Sequence, residues 1–370
     1  MTSRKLWNLD LKLLIPTLVL LIISLATLYT IDVGFFRSQL IFAFISVFVF
    51  LIFSNVNYKI IQLYKVPIYI ASLILLLLVL FLGIESRGSV RWIDIFGFRM
   101  QFSEILKPFL TISFAAYLSE LRQYSLKNLL FSFLYVLPVA FLIFLQPDLG
   151  NALLYISVVI LSLIFLGFPL RYFAAGFLFV LASIPLLWRF LHEYQKQRIL
   201  TFLNPAHDPL GTSYNAIQAI ITVGSGMIIG KGLGQGTQSG LSFLPERHTD
   251  FIFATISEEL GFIGNTLILV AFGFILYRLF IIFLNSEDKF CKLFSGIAFF
   301  SILIQFFVNV GMNIGILPIV GVTLPFVSYG GSSLLSNFIL LGLVSAVAKN
   351  FKRDQVMSRL RYIGNTFELE

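Results

Sequence analysis

Cysteine and charge are what this sequence has least of. A single cysteine, Cys291, in 370 residues excludes an intramolecular disulfide and any metal site built from several thiolates. Charged residues make up 12% of the chain, against about a quarter in soluble globular domains. An ordinary soluble fold is therefore excluded. The two-residue alternation of a membrane β-barrel is also missing, because runs such as "LILLLLVLFLG" are apolar at every position. Only three histidines are present, His192, His207 and His248, and their spacing matches no zinc motif. The stretch "GSGMIIGKG" superficially resembles a phosphate loop. Its first required glycine falls on Ser225, and Gly232 stands where the hydroxyl residue must be, so no nucleotide site follows. No small-residue cleavage site follows the first apolar run, so no cleavable signal peptide is expected.

What is present is apolar length. The chain is 58% hydrophobic with a mean hydropathy of +0.93. A helix spans a bilayer with roughly 20 mostly apolar residues. Ten such spans are expected, near 12–30, 36–54, 66–84, 103–119, 128–145, 151–168, 171–190, 257–284, 292–316 and 332–349. The fold class is thus an all-α polytopic membrane protein, organised as one membrane domain over residues 1–370. The net charge of +8 is accounted for by basic residues in tails and short loops rather than by nucleic acid. Arg4 and Lys5 precede the first span, and Lys349, Lys352, Arg353, Arg359 and Arg361 follow the last. By the positive-inside rule both termini are cytoplasmic, which an even number of spans requires.

Two polar segments then face outward: Ile84 to Phe102, and the much longer Leu191 to Ile256 between spans 7 and 8. A connection of that length points to function. Its apolar residues Ile199, Phe202, Tyr214, Ile217, Ile220 and Ile221 recur at helical spacing, as in short amphipathic helices lying at the interface.

The chemistry-bearing residues concentrate on the same side. "GIESRGSVRWIDIFG" carries Arg87 and Arg91, either interfacial anchors beside Trp92 or bidentate phosphate ligands. "QFSEILKPF" places Glu104 and Lys107 at i, i+3 on one helix face, as a structural ion pair or a polar cavity wall. Asp148 in "FLQPDLGNA" is a helix cap or a polar site group. "GKGLGQGTQSGLSFLPERHTDF" contains Lys231, whose flanking glycines would let backbone amides approach a phosphate. It ends in Glu246, Arg247, His248 and Asp250, where Asp250 is an N-cap or a catalytic carboxylate. Asn309 and Asn313 share a helix face before the Gly- and Pro-rich "GILPIVGVTLPFVSYGGSS", backbone that is tolerated at membrane depth only inside protein or against a cavity.

Taken in order, "GSVRWI", "SEILKP", "QPDLG", "FLNPAHDPLGTSYNAIQA", "GKGLGQGTQSGLSFLPERHTDFIFA", "EELGFIG" and "GILPIVGVTLPFVSYGGSS" resemble the SEDS family of bacterial membrane proteins, over essentially the whole chain. "GTQSGLSFLPERHTDF" favours its elongation branch over its division branch. The sequence departs from the family pattern at Phe102, Asn151 and Ser213, where proline, threonine and glycine are usual. The resemblance implies a peptidoglycan glycosyltransferase that polymerises lipid II on the outer face of the bacterial cytoplasmic membrane. It implies a class B penicillin-binding protein as transpeptidase partner, among other membrane proteins of the rod complex. It puts the proposed catalytic aspartate on Asp250 and the family's Glu–Lys pair on Glu104 and Lys107.

The expected reaction is an inverting transfer with Asp250 as general base. Arg87, Arg91, Lys231 and Arg247 are candidates for the leaving pyrophosphate, with His248, Glu104, Lys107 and Asp148 lining the substrate site. Any divalent cation, Mg2+ or Mn2+, would be weakly held and shared with the substrate's phosphates. The competing readings are a lipid II flippase, since intramembrane charge and broken helices also mark transporters, and a non-catalytic scaffold for the transpeptidase. The absence of an internal repeat and the one-sided clustering of charge favour the polymerase.

Overall fold

The fold was obtained as a computed structural model, in which residues 9–367 are described apart from 87, 88, 96, 192, 205–207, 210, 212 and 242. Arg87, His192, His207 and the basic Arg4 and Lys5 lie outside the described residues.

Fifteen helices and one small sheet are described. They run α1 (Leu11–Ile31), α2 (Val33–Phe53), α3 (Tyr58–Leu63), α4 (Lys65–Leu82), β1 (Ile84–Ser86), β2 (Ser89–Ile95), β3 (Phe98–Met100), α5 (Phe102–Ile105) and α6 (Lys107–Ser119). There follow α7 (Leu126–Leu145), α8 (Leu149–Phe165), α9 (Leu170–Phe190), α10 (Glu193–Leu203), α11 (Tyr214–Ser225), α12 (Thr237–Gly240), α13 (Ile252–Asn285), α14 (Lys289–Asn313) and α15 (Gly331–Phe367).

Seven of these are long and apolar enough to cross a bilayer: α1, α2, α4, α7, α13, α14 and the Gly331–Lys349 stretch of α15. The other three expected spans correspond to α5–α6, α8 and α9, which are apolar but shorter or interrupted. The chain is a multi-pass helical membrane protein. Its outward surface is apolar, with Phe44, Phe48, Phe81, Phe141, Phe177 and Phe274 exposed as only lipid would favour. Small polar side chains fill the interior and return their hydroxyls to their own helices, as in Thr17 Oγ1 to Leu13 O (2.8 Å) and Ser295 Oγ to Cys291 O (2.7 Å). α15 packs along α2, and α13 packs between α1 and α14.

The helices begin where sequence chemistry allows. Asp32 caps α2 by accepting from Gly34 N (2.6 Å) and Phe35 N (3.2 Å). Ser125 and Asp288 cap α7 and α14 in the same way. The end of the bundle where α1 begins is stapled by charge. Arg278 donates to Asp10 through Nε (2.8 Å) and Nη2 (2.6 Å), and the Asp10 amide donates to Ser345 Oγ (3.2 Å). The beginning of α1 and the middle of α15 therefore meet at one end. The functional residues gather at the other.

Two features depart from the sequence reading. The segment 84–102 is not a plain loop but a three-stranded antiparallel sheet in the order β1-β2-β3. Its second turn closes on Asp94, whose Oδ1 accepts from Gly97 N (2.7 Å), with Gly97 at φ +83°. The eighth span also starts earlier than expected, at Ile252 rather than 257. Glu258 and Glu259, at the edge of the expected span, lie more than a turn inside the helix. They sit inside the helix because the loop folds back and supplies both carboxylates with donors. Gly261 (φ 65°, ψ −158°) breaks α13 just after them.

Candidate functional site

The segment His248–Asp250 is held by its backbone. Tyr329 N donates to His248 O (2.9 Å), Ser328 Oγ donates to Thr249 O (2.7 Å), and both Asn309 Nδ2 (3.1 Å) and Asn313 Nδ2 (3.0 Å) donate to Asp250 O. Three consecutive carbonyls are thus gripped by α14 and the loop before α15. Asn313 also accepts from Ala254 N (3.1 Å), fixing the first turn of α13. Asn309 reaches the other way, to Val322 O (2.8 Å). The i, i+4 spacing of the two asparagines was legible in the sequence, but their target was not. Glu246 takes up a left-handed conformation (φ 51°) to start this turn, and its carbonyl accepts from Thr249 N (3.1 Å) and Phe251 N (3.3 Å). Non-glycine residues hold such conformations only where the surroundings enforce them, which is common at functional sites.

With its backbone so occupied, Asp250 presents its side chain freely. It is half-buried, and its carboxylate has no hydrogen-bond donor among the described residues. Gly321, at φ +72°, lies beside it: a Cβ there would stand 3.5 Å from Asp250 Oδ2. Burial pushes the Asp250 carboxyl up to about 6, and the nearby Glu246 and Asp148 add to this, while Arg91 and Arg198 pull the other way. It is not an N-cap, since α13 begins after Phe251 and has no side-chain cap.

Facing it is a second cluster. Asp148 is buried and caps α8. Its Oδ1 accepts from Asn151 N (3.2 Å) as the cap of α8, while its Oδ2 takes Gln101 Nε2 (2.6 Å) and Asn151 Nδ2 (2.9 Å). The Asn151 side chain thereby adds a donor to Asp148. Arg91 comes in from β2, with Nη1 3.8 Å from Asp148 Oδ1 and its Nε buried without a partner among the described residues. Burial raises the Asp148 carboxyl, and Arg91 lowers it. Gln101 N donates to Ser332 Oγ (2.9 Å), which ties this cluster to the start of α15.

Glu104 and Lys107 form a fully buried pair, Nζ to Oε2 2.6 Å, just below. Tyr155 OH donates to Ser103 O (2.8 Å) beside them. His248 is stacked on Phe35, with ring centroids 4.2 Å apart and planes 10° apart, which anchors the segment to the start of α2. Arg247 is half-buried and lies within electrostatic range of Glu259.

Lys231 has a different place from the one expected. Its ammonium donates to Glu258 Oε1 (2.7 Å) and Thr237 Oγ1 (2.7 Å), and Glu258 is fully buried. Glu258 also accepts from Gln238 N (3.0 Å), Ser239 N (2.8 Å) and Ser239 Oγ (2.8 Å). The amides of the glycine segment are spent as well: Lys231 N on Glu258 O, Gly232 N on Glu259 O (both 2.9 Å), and Gly234 N on Glu259 Oε1 (3.1 Å). These bonds clamp the loop to α13. Glu259 Oε1 accepts in addition from Thr30 Oγ1 (2.9 Å), which adds α1 to the clamp. The two glutamates were missed because a carboxylate pair in "SEELG" gives no sign of the loop donors that enclose it.

A half-buried carboxylate of raised pKa, fixed through its backbone and faced by an arginine, marks a candidate site at one end of this multi-pass helical membrane protein. The family model described as cell cycle protein, covering FtsW, RodA and SpoVE, matches residues 5–353, and the chain belongs to that family. It is 35% identical to the peptidoglycan glycosyltransferase MrdB of Escherichia coli, over 92% of this chain and 93% of the relative. It is also 35% identical to the stage V sporulation protein E of Bacillus subtilis, covering 94% and 99% of the two chains. Among solved structures it is similar to one described as a peptidoglycan synthase complex that coordinates polymerisation and crosslinking (TM-score 0.82, 28% identity, 93% of this chain and 99% of that one). It is likewise similar to the rod shape determining protein RodA of Thermus thermophilus (TM-score 0.69, 26% identity, 93% and 97%).

Proposed function

We propose that this peptidoglycan glycosyltransferase polymerises lipid II, with Asp250 as the general base. The family membership and the relatives named for that activity carry the enzyme class. The observation that carries the residue assignment is the Asp250 carboxylate, unpartnered while three carbonyls around it are clamped. A base needs a free lone pair and a pKa near the working pH, and a carboxyl at about 6 has both.

In this reading the acceptor sugar hydroxyl gives its proton to Asp250 as its oxygen attacks the anomeric carbon of the donor. The bond to the pyrophosphate breaks on the opposite side, inverting the configuration. The leaving group departs as an anion and requires positive charge rather than a second acid. Arg91, with an unused Nε, is the first candidate to meet it, with Arg247 as the second. Glu104–Lys107 and Asp148 hold the cavity wall. Lys231 is withdrawn from the phosphate set and becomes part of the loop clamp. Among the described residues no group of three or more His, Cys, Asp or Glu is placed to hold a metal. No step is assigned to one; a weakly held divalent cation would enter with the substrate's phosphates.

The site lies at the end of the bundle opposite Asp10 and Ser345. With the basic tails in the cytoplasm, this end faces the outer side of the cytoplasmic membrane, where lipid II awaits polymerisation. A class B penicillin-binding protein of the rod complex is the proposed partner. The likeness to a synthase complex that couples polymerisation to crosslinking supports it.

The test is polymerisation of purified lipid II by the reconstituted protein with its transpeptidase, wild type beside Asp250→Asn, with and without added divalent cation. Glycan strands from wild type and a rate lower by about 10²–10⁴-fold for the variant are expected. Equal rates would remove Asp250 from the chemistry. Transbilayer movement of lipid II without glycan product would favour the flippase.

A further inference from the structure

Between the amphipathic α11 and the glycine segment lies "GMIIG", Gly226 to Gly230. Its three apolar side chains are among the most exposed in the protein: Met227 81%, Ile228 69% and Ile229 76%. This is not a slack loop. Gly226 presses so close to α13 that a Cβ there would fall 1.7 Å from Ser257 O. At the other end Gly230 (φ +77°) would place a Cβ 2.2 Å from Glu259 O. Between them Met227 is held in the left-handed region (φ 51°), which a non-glycine residue adopts at a cost. The backbone is joined to the break in α13: Phe262 N donates to Met227 O (2.9 Å) and Ile263 N to Ile228 O (3.2 Å). Glycines at each end and a strained residue within them turn three apolar side chains outward from a fixed backbone.

The level of this feature follows from α13. Before Gly261 the helix is buried in protein and carries Ser257, Glu258 and Glu259. After Gly261 it is apolar, and the stretch Phe262–Asn285 rises about 36 Å at 1.5 Å per residue, enough to cross a hydrocarbon core of about 30 Å. Phe262 (64%) and Ile263 (60%) are exposed and continue into the lipid-facing Val270 and Phe274 lower on the same helix. Met227–Ile229 thus lies beside the point where α13 enters the bilayer. The next charged residue along the chain, Lys231, is neutralised by Glu258, so no free charge opposes entry.

We infer that Met227, Ile228 and Ile229 form a wedge that inserts into the adjoining bilayer leaflet. The wedge holds the polar loop, and with it the Asp250 segment, at a fixed depth. The occupant is lipid: the patch is continuous with the lipid-facing surface of α13 and is not set apart from it by polar residues. The inference rests on the multi-pass fold and not on the proposed chemistry.

The test uses the full chain in lipid nanodiscs. Cys291, buried and the sole cysteine, is replaced by serine. An environment-sensitive fluorophore is attached at Ile228→Cys, and separately at Gln235→Cys, an exposed position in the glycine segment. The expected result is blue-shifted emission at 228, quenched by nitroxide on the upper acyl chain and protected from a water-soluble quencher. The probe at 235 should behave in the opposite way. Equal access of the soluble quencher to both positions overturns the inference. So does loss of lipid quenching at 228 on adding the transpeptidase with the blue shift retained, because protein would then be the occupant. Ile228→Asp with Ile229→Asp provides a second reading, with the nitroxide moved to the lipid headgroup: quenching of the Gln235 probe should fall, and unchanged quenching overturns the anchoring role.

Discussion

At the scale of single residues the decisive quantity is the state of Asp250. Its carboxyl rises to about 6 in the fold, from an unfolded value near 3.8. The proposed base acts only when ionised, so the polymerisation rate should fall as pH drops through about 6, and a pH–rate profile reads this directly. The same shift has a stability consequence of opposite sense. A raised carboxyl favours the folded state when protonated and disfavours it when ionised, so stability is lost as pH rises from about 4 to about 6. Asp250→Asn should therefore raise the melting temperature at pH 7.5 and leave it unchanged below pH 4, while lowering the rate by about 10²–10⁴-fold. A lower melting temperature at pH 7.5 would contradict the burial argument. Arg91 offers a second prediction. With a spare Nε and a planar fork, it should not be replaceable by lysine: Arg91→Lys should lower kcat/KM by about tenfold or more, with little effect on folding.

At the scale of elements, the loop clamp on α13 is the most testable construction. Removing one partner of a buried ion pair strands the other, typically at about 3–5 kcal/mol, whereas removing both is far milder. Glu258→Gln and Lys231→Met should each destabilise the protein, and the double variant should recover a large part of the loss in a thermal-melt cycle. Additive losses would mean that the pair is not coupled. This is also where the sequence was least informative. Hydrophobic length revealed the spans and their order, because a bilayer imposes length on every crossing helix. Local chemistry revealed Asp148 as a cap and Glu104–Lys107 as a pair, since both are settled within a few residues. The role of Lys231 was not legible, because a glycine-rich stretch with a lysine fits a phosphate as well as a carboxylate. Only the fold brings Glu258 within 2.7 Å. The sheet at 84–100 was missed for a related reason: its strands are three to seven residues long, and apolar neighbours obscure their alternation.

At the scale of the whole molecule, the two ends have separate tasks. The end that gathers Asp10, Arg278 and Ser345 is stapled by charge and joins the beginning of α1 to the middle of α15. The opposite end assembles its site from α1, α2, β2, the α7–α8 turn, the long loop, α14 and the start of α15. A site drawn from so many distant segments cannot survive partial unfolding, so activity and global folding should be lost together on heating. Separate midpoints for glycan synthesis and for loss of helical signal would refute this. The positions of Asp10 and Ser345 also predict the same accessibility for both tails. Tags at the two ends of the chain in sealed vesicles should be protected or digested together.

The grip on residues 248–250 has one more consequence. Because Tyr329, Ser328, Asn309 and Asn313 all hold main-chain oxygens, the location of residue 250 does not depend on which side chain it bears. Shortening it to glycine leaves a vacancy of carboxylate size beside Gly321, and small acids in solution have access to it. Formate should then return part of the lost turnover to Asp250→Gly and none to wild type. Glutamate at the same position should stay poor, because its extra methylene carries the charge past the acceptor.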